Sequence, residues 1–185
     1  MASKGPDVSG KRNGKPTKPG SPSYDKPGPE LIQQWLDRGK DPDPEYQNWM
    51  SSILPHLTLE SHSADGPHPA VTLRFAVKPE HCNDLNNMHG GCTATLFDFA
   101  TTMPIMLISK PGFWEYLGVS RTLNTTYLRP IPCGTSIIVE ADILQIGKRM
   151  TTTRGSMHAI NEDGSKGAVL AVCEHGKACV DPPKM

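Results

Sequence analysis

The stretch NDLNNMHGGCTATLFDFATT, residues 83–102, holds a histidine, two adjacent glycines and then an apolar run interrupted by one carboxylate, Asp98. A charge buried without a partner is costly, so Asp98 is either paired or functional. Thr93, Thr95, Thr101 and Thr102 are near enough in sequence to pair it. The run has helical length, and His89-Gly90-Gly91 stands at its start. The first N–H groups of a helix have no partner within it, and they carry the positive end of its dipole. Aimed at a carbonyl, such a group stabilises the oxyanion that forms in acyl transfer. The same glycines equally suit close packing of helix on sheet, with no chemistry involved. Asp98 lies eight residues beyond Gly90, which is ~12 Å along a helix axis and far around its cylinder. It therefore cannot act on a carbonyl held at Gly90 of the same helix. Either the two groups are unrelated, or a site joins Gly90 of one chain to Asp98 of another. A two-fold dimer with antiparallel neighbouring helices does this twice.

Other reactive side chains point to less. Cys82, Cys92, Cys133, Cys173 and Cys179 include no CxxC pair, which fits reduced thiols of an intracellular protein. Cys92 and Cys133 read as small core residues rather than nucleophiles. His56, His62 and His68 recur every six residues, a spacing that matches neither a helical metal site nor a zinc finger, and they read as surface histidines. No metal is expected.

Composition narrows the partners. The 185 residues carry formal net charge +0, against nucleic acid as the main partner. Aromatic residues make up 6%, too few for platforms that stack single-stranded bases. No apolar run approaches the ~20 residues of a membrane span, and no signal peptide is visible.

Around the motif, the elements sort simply. Residues 1–29 are rich in Lys, Gly, Pro and Ser and read as a disordered tail. Residues 30–55 read as a helical extension. PELIQQWLDRG forms one short helix, with Pro29 at its first position and Gly39 as its stop. DPEYQNWMSSIL forms a second, capped by Asp43, with Tyr46, Trp49, Met50 and Ile53 as a core stripe. Residues 56–181 form the main domain. HLTLESH and AVTLRFAV alternate as strands around the turn residues ADGPHP. A helix follows from about Met88 to Ser109, with Pro104 kinking or shortening it. Four strands complete the chain, the last two joined at Asp163-Gly164. One helix against an antiparallel sheet is an α+β layer architecture.

Read together, NDLNNMHGGCTATLFD, LGVSRTLNTTYLRP and ILQIGKRM closely resemble the hotdog-fold acyl-CoA thioesterases with an HGG motif, of the phenylacetate-pathway type and their animal relatives. The resemblance spans roughly residues 56–180. The N-terminal extension and Pro104 depart from the compact pattern. The resemblance implies an antiparallel sheet of five or six strands wrapped around one long central helix. It implies a homodimer that can pair into a tetramer, and hydrolysis of an acyl thioester without metal or organic cofactor. Asp98 matches the catalytic carboxylate, acting on water as general base or, as argued for some relatives, as nucleophile. Ser120 matches the hydroxyl that positions the water. Gly90 matches the N–H that polarises the carbonyl, while Asn83 and His89 match side chains that orient the thioester. Asp98 would sit in an apolar, water-poor setting. Asp98 and Ser120 would face Asn83, His89 and Gly90 across the dimer interface.

The phosphates of CoA call for cations, with Arg129, Lys148, Arg149 and Lys177 as the candidate set at the sheet edge. The contact segments of the family match Tyr127–Pro132 and Gln145–Met150, which include Gly147. Phe97, Met103, Met106 and Trp114 either line the acyl tunnel or fill the core. Rival readings keep the fold: a hotdog dehydratase, a thioesterase acting on carrier-protein-bound acyl or polyketide chains, or a non-catalytic acyl-binding protein. The presence of Asn83, His89, Gly90, Asp98 and Ser120 together argues against the last. Cytosol and mitochondrion both fit the sequence.

Overall fold

The computed structural model describes residues 28–38, 40 and 48–181, so the tail expected at the N-terminus and the first half of the second helix lie outside the described residues. The chain begins with α1 (Gly28–Arg38), followed by a 3-10 turn at Leu54–His56. Then come β1 (Leu57–Ser63), β2 (Ala70–Ala76), a 3-10 turn at Pro79–His81, α2 (Gly90–Ala100) and α3 (Met103–Ile108). The chain closes with β3 (Val119–Tyr127), β4 (Ser136–Ile146), β5 (Met150–Ile160) and β6 (Lys166–Ala178). All strand pairs are antiparallel, in the order β1-β2-β4-β5-β6-β3. This is the expected α+β architecture: one six-stranded sheet around a central helical segment, the hotdog fold.

The strand expectations hold because alternation decides which face is buried. Val71, Leu73 and Phe75 of β2 point inward, and Ile137, Val139, Ala141 and Ile143 of β4 continue the same face. The central segment runs Gly90–Ile108 with a turn at Thr101 and Thr102 between α2 and α3. Pro104 is the cause, since it has no N–H to give to the carbonyl four residues back.

The glycine that lets helix approach sheet lies in the sheet. A Cβ on Gly155 of β5 would stand 2.8 Å from the Phe97 ring and 2.9 Å from the Cys173 sulfur. Phe97, wholly buried, occupies the space that this glycine leaves. Gly155→Ala is expected to destabilise the fold by about 1–3 kcal/mol through overpacking. Thermal unfolding of the variant beside wild type measures this, and an unchanged melting temperature would mean the helix shifts freely.

Two N-terminal expectations are corrected. Helix α1 starts at Gly28, one residue before the expected first position at Pro29, so the tail expected over residues 1–29 gives up its last two residues to the helix. A Cβ on Gly28 would fall 2.5 Å from Leu107, and Leu31, Ile32 and Leu36 join the main core, so the extension is seated on α3. The described part of the second expected helix, Asn48–Ile53, is a series of turns instead. The side chain of Asn48 accepts from the Met50 N–H and its own N–H donates to Ser51 Oγ, local bonds that compete with a helix. Within the expected stripe Ile53 is buried, but Trp49 is 81% exposed, with its indole N–H on Thr95 Oγ1 of α2. Tyr46 is outside the described residues.

Candidate active site

The start of α2 is held open by its flanking loop. Bridges Cys82–Met88 and Asn87–Pro132 fold residues 82–88 back on themselves and onto the segment after β3. Oδ1 of Asn83 accepts from the N–H groups of Leu85 and Asn87, at 3.0 and 3.2 Å. Its Nδ2 amide has no hydrogen-bond partner among the described residues. His89 is the N-cap, and its Nδ1 accepts from the Gly91 N–H at 2.9 Å. A Cβ on Gly91 would stand 3.0 Å from that nitrogen, a tighter approach than usual, so a side chain there would push the cap aside by a few tenths of an ångström. With Nδ1 an acceptor, exposed His89 carries its proton on Nε2. The Gly90 N–H has no partner among the described residues, while the Gly90 carbonyl accepts from the Tyr127 hydroxyl at 2.9 Å.

A cavity of about 480 Å³ opens at this point. Asn83, Gly90, Tyr127 and Arg129 line it together with apolar Met88 and Ile131. The sequence thus assembles a free helix N-terminal donor, an amide donor and a cation at one apolar cleft.

Asp98 lies two helical turns along α2, beside Ser120 of β3. Ser120 Oγ donates to Asp98 Oδ1 at 2.6 Å. None of the threonines expected as partners reaches the carboxylate. Thr93, Thr101 and Thr102 donate to the carbonyls of His89, Phe97 and Asp98, and Thr95 accepts from Trp49. The setting differs from the apolar one expected. The Asp98 side chain is 49% exposed in the single chain, toward the free edge of β3, and its inner neighbours are polar. His175 Nε2 stands 3.3 Å from Oδ1. Lys177 Nζ donates to Thr102 Oγ1 at 3.0 Å.

Lys177 therefore leaves the set of surface cations expected to meet CoA phosphates. It is 4% exposed beneath the central helix, and burial holds its ammonium below the usual lysine range. The period-two pattern of β6 turns His175 and Lys177 to the same inner face as Cys173. That alternation was readable in VCEHGKA, but a charged residue argues for the outer face until its partner is known. Lys148 and Arg149 are exposed in the β4–β5 turn, where Gly147 accepts from the Trp114 indole at 2.8 Å and Gln145 is also exposed. Arg129 and Tyr127 lie at the opposite end of β3 from that turn. One chain thus brings Asn83, His89, Gly90, Tyr127 and Arg129 together. Asp98 and Ser120 form a second group, and Gln145, Gly147, Lys148 and Arg149 a third.

Phe97, Met103, Met106 and Trp114 are core residues. Cys92 and Cys133 are half-buried, whereas Cys173 is the buried thiol, pushed up to about 12 chiefly by burial. Cys82 is raised to about 11 by burial and the neighbouring Cys133, which makes it a poor nucleophile. His56, Glu80 and His81 bring ligand atoms within 4.8 Å of one another. Both ring nitrogens of His81 are committed, Nδ1 to the Lys78 N–H and Nε2 to the Ser52 carbonyl, so it has no lone pair to give a metal.

What this arrangement can do is hold a carbonyl on two N–H donors and present a hydroxyl-bound carboxylate to water. Comparison with known proteins points the same way. Residues 85–166 match the model of the thioesterase superfamily. Acyl-coenzyme A thioesterase 13 of Mus musculus is 36% identical over 125 residues, covering 68% of this chain and 81% of that one. The Homo sapiens protein of the same name is 33% identical over the same coverage. The crystal structure of zebra fish thioesterase superfamily member 2 superposes with a TM-score of 0.65 at 27% identity, covering 81% of this chain and 96% of that one. Shared sequence along most of the folded chain, and a shared sheet and helix, place it: the chain belongs to the thioesterase superfamily and is a hotdog-fold thioester hydrolase.

Proposed function

We propose that the chain hydrolyses acyl-CoA to the free acid and CoA, at two equivalent sites shared between the protomers of a homodimer. One observation carries this reading. The free N–H of Gly90 and the Ser120-bound carboxylate of Asp98 lie on one helix, at a separation that only a second chain closes.

The edge of β3 supports the pairing. Among the described residues no strand lies beside its outer side, and Val119, Tyr127 and the following Leu128 are 51%, 55% and 49% exposed. A long edge strand with unpaired backbone N–H and C=O groups invites pairing with another. Two β3 strands running antiparallel about a two-fold near Leu123 set the Ser120 end of one beside the Tyr127 end of the other. The carboxylate of one protomer then meets the cleft of its partner. Val119 and Met150 both pair with Ala178, so the β4–β5 turn lies at the Ser120 end of β3. In the dimer Lys148 and Arg149 reach the mouth of the other cleft, where Arg129 stands. These three cations then serve the phosphates of CoA.

The chemistry follows from the donors. The thioester oxygen rests on the Gly90 N–H and Asn83 Nδ2. Ser120 fixes a water against Asp98, which removes a proton as the oxygen adds to the carbonyl carbon. The tetrahedral oxyanion is held at the positive helix end. Its collapse breaks the C–S bond, and the proton passes from Asp98 to the thiolate, assisted by His89 Nε2–H. A thiol leaves readily, so one base and one oxyanion donor suffice. Thiol release from acyl-CoAs of acetyl to palmitoyl length, with one aromatic ester, tests the reading. Turnover is expected on at least one ester, and a folded dimer inert to all of them would overturn CoA as the carrier.

A further inference from the structure

Phe97, Met103, Met106 and Trp114 are sealed in the core, so the acyl chain of the substrate needs a path outside them. A large aromatic stands close to the base. Trp49, in the turns that follow α1, donates its indole N–H to Thr95 Oγ1 at 3.0 Å. Thr95 precedes Asp98 by three residues on α2, a spacing that sets their Cβ atoms about 5–6 Å apart on one helix face. Trp49 itself is 81% exposed.

This is not a loose surface side chain. The bonds of Asn48 to Met50 and Ser51 fix the turn that carries it, and Ile53 and Leu54, just beyond, are anchored in the core. The indole N–H ties the ring to α2. A broad apolar surface is thus kept in water at a set place beside the carboxylate, with its burial left for another group to supply.

The helix gives the direction. Counted at ~100° per residue, Thr95 and Phe99 lie about 60° and 100° to one side of Asp98, and Thr101 and Gly90 about 60° and 80° to the other. The first side faces the N-terminal extension, where Thr95 meets Trp49 and the Phe99 ring lies 5.9 Å from that of Trp35. The second faces β3 and β6, where Gly90 meets Tyr127 and Thr101 meets His175. Ser120 belongs to this second side, and in the proposed dimer so does the CoA arm with its cations. A thioester carbonyl carries its two arms in opposite directions. With the thiol arm toward β3, the acyl arm crosses α2 toward Trp49.

We propose that Trp49 is a specificity-determining residue, the wall on which the acyl chain lies, so that the N-terminal extension sets the preference for chain length. A short acyl group ends before the ring, whereas a long one buries its methylenes against the indole face.

The inference rests on the proposed reaction at Asp98, and the test has one arm that needs no turnover. In the first arm kcat/KM is measured on acetyl-CoA and dodecanoyl-CoA for wild type, Trp49→Ala and Trp49→Phe. Trp49→Ala should lower the dodecanoyl-to-acetyl ratio about tenfold, the contact of about two methylenes, chiefly through KM. Trp49→Phe keeps a ring and should hold the ratio within about threefold of wild type. A general loosening of the fold lowers both esters alike and leaves the ratio where it was. In the second arm tryptophan emission is followed as the S-dodecyl thioether of CoA, which cannot be hydrolysed, is added. Wild type should shift to shorter wavelength, and Trp49→Phe should lose most of that response. An inert wild type overturns the proposed hydrolysis, and the emission arm then decides the role of Trp49. A ratio unmoved in Trp49→Ala, with or without loss of the dimer, overturns the proposal. So does an emission response that is absent in wild type or survives in Trp49→Phe.

Discussion

Asp98→Asn is expected to lower kcat for thioester hydrolysis by about 10²–10⁴-fold, the contribution of a positioned general base, with fold and dimer unchanged. The amide keeps the size of the side chain and still accepts from Ser120 Oγ, so the local bond at 2.6 Å has a successor. It cannot take a proton from water. Half-exposure of the side chain also means that neutralising it removes no buried ion pair on which the core depends. The expected signature is therefore a collapse of kcat with little change in KM or melting temperature. Ser120→Ala should cost less, because the carboxylate remains and only the orientation of its water is lost. Steady-state thiol release, with circular dichroism and size-exclusion chromatography on the same preparations, makes the measurement. Full activity in Asp98→Asn would remove the carboxylate from the mechanism.

How much of this was legible in the sequence depended on what each residue needed from distant ones. Alternation in AVTLRFAV and the Asp163-Gly164 turn are local, and they gave β2 and the β5–β6 hairpin directly. Pro104 announced the break in the central helix for the same reason. The second N-terminal helix failed because apolar spacing at Trp49 and Ile53 says nothing of the Asn48 and Ser51 bonds that hold turns there instead. Helix arithmetic alone separated Asp98 from Gly90, yet it could not supply their neighbours. Ser120 is far off in sequence, and His175 farther still. Lys177 was misplaced for a related reason. A lysine reads as surface until a buried hydroxyl such as Thr102 is known to receive it. The glycine pair does not take the packing role that one of the two open readings gave it. Gly91 makes room for the His89 cap and Gly90 keeps a free N–H, while close packing of helix on sheet fell to Gly155.

The second large effect concerns where one site ends and the next chain begins. Asn83→Asp keeps the Oδ1 acceptor that folds the 83–87 loop, and replaces the free Nδ2 donor by an oxygen. Loss of one oxyanion donor costs about 10²–10³ in kcat, and the added negative charge repels the thioester oxygen further. Homodimers of Asn83→Asp and of Asp98→Asn should both be nearly inactive. A heterodimer of the two, co-expressed with different affinity tags and purified through both, contains one site with both defects. Its other site takes an intact Asp98 from the first chain and an intact Asn83 from the second. That heterodimer should regain about half of wild-type turnover, because in the proposed dimer each site takes residues from both protomers. Sites confined to single chains give no such recovery, since every site then carries one defect. Heterodimer activity no higher than that of the parents would place Asp98 and Asn83 in the same protomer's site. It would also require an intrachain path across the ~12 Å that eight helical residues impose.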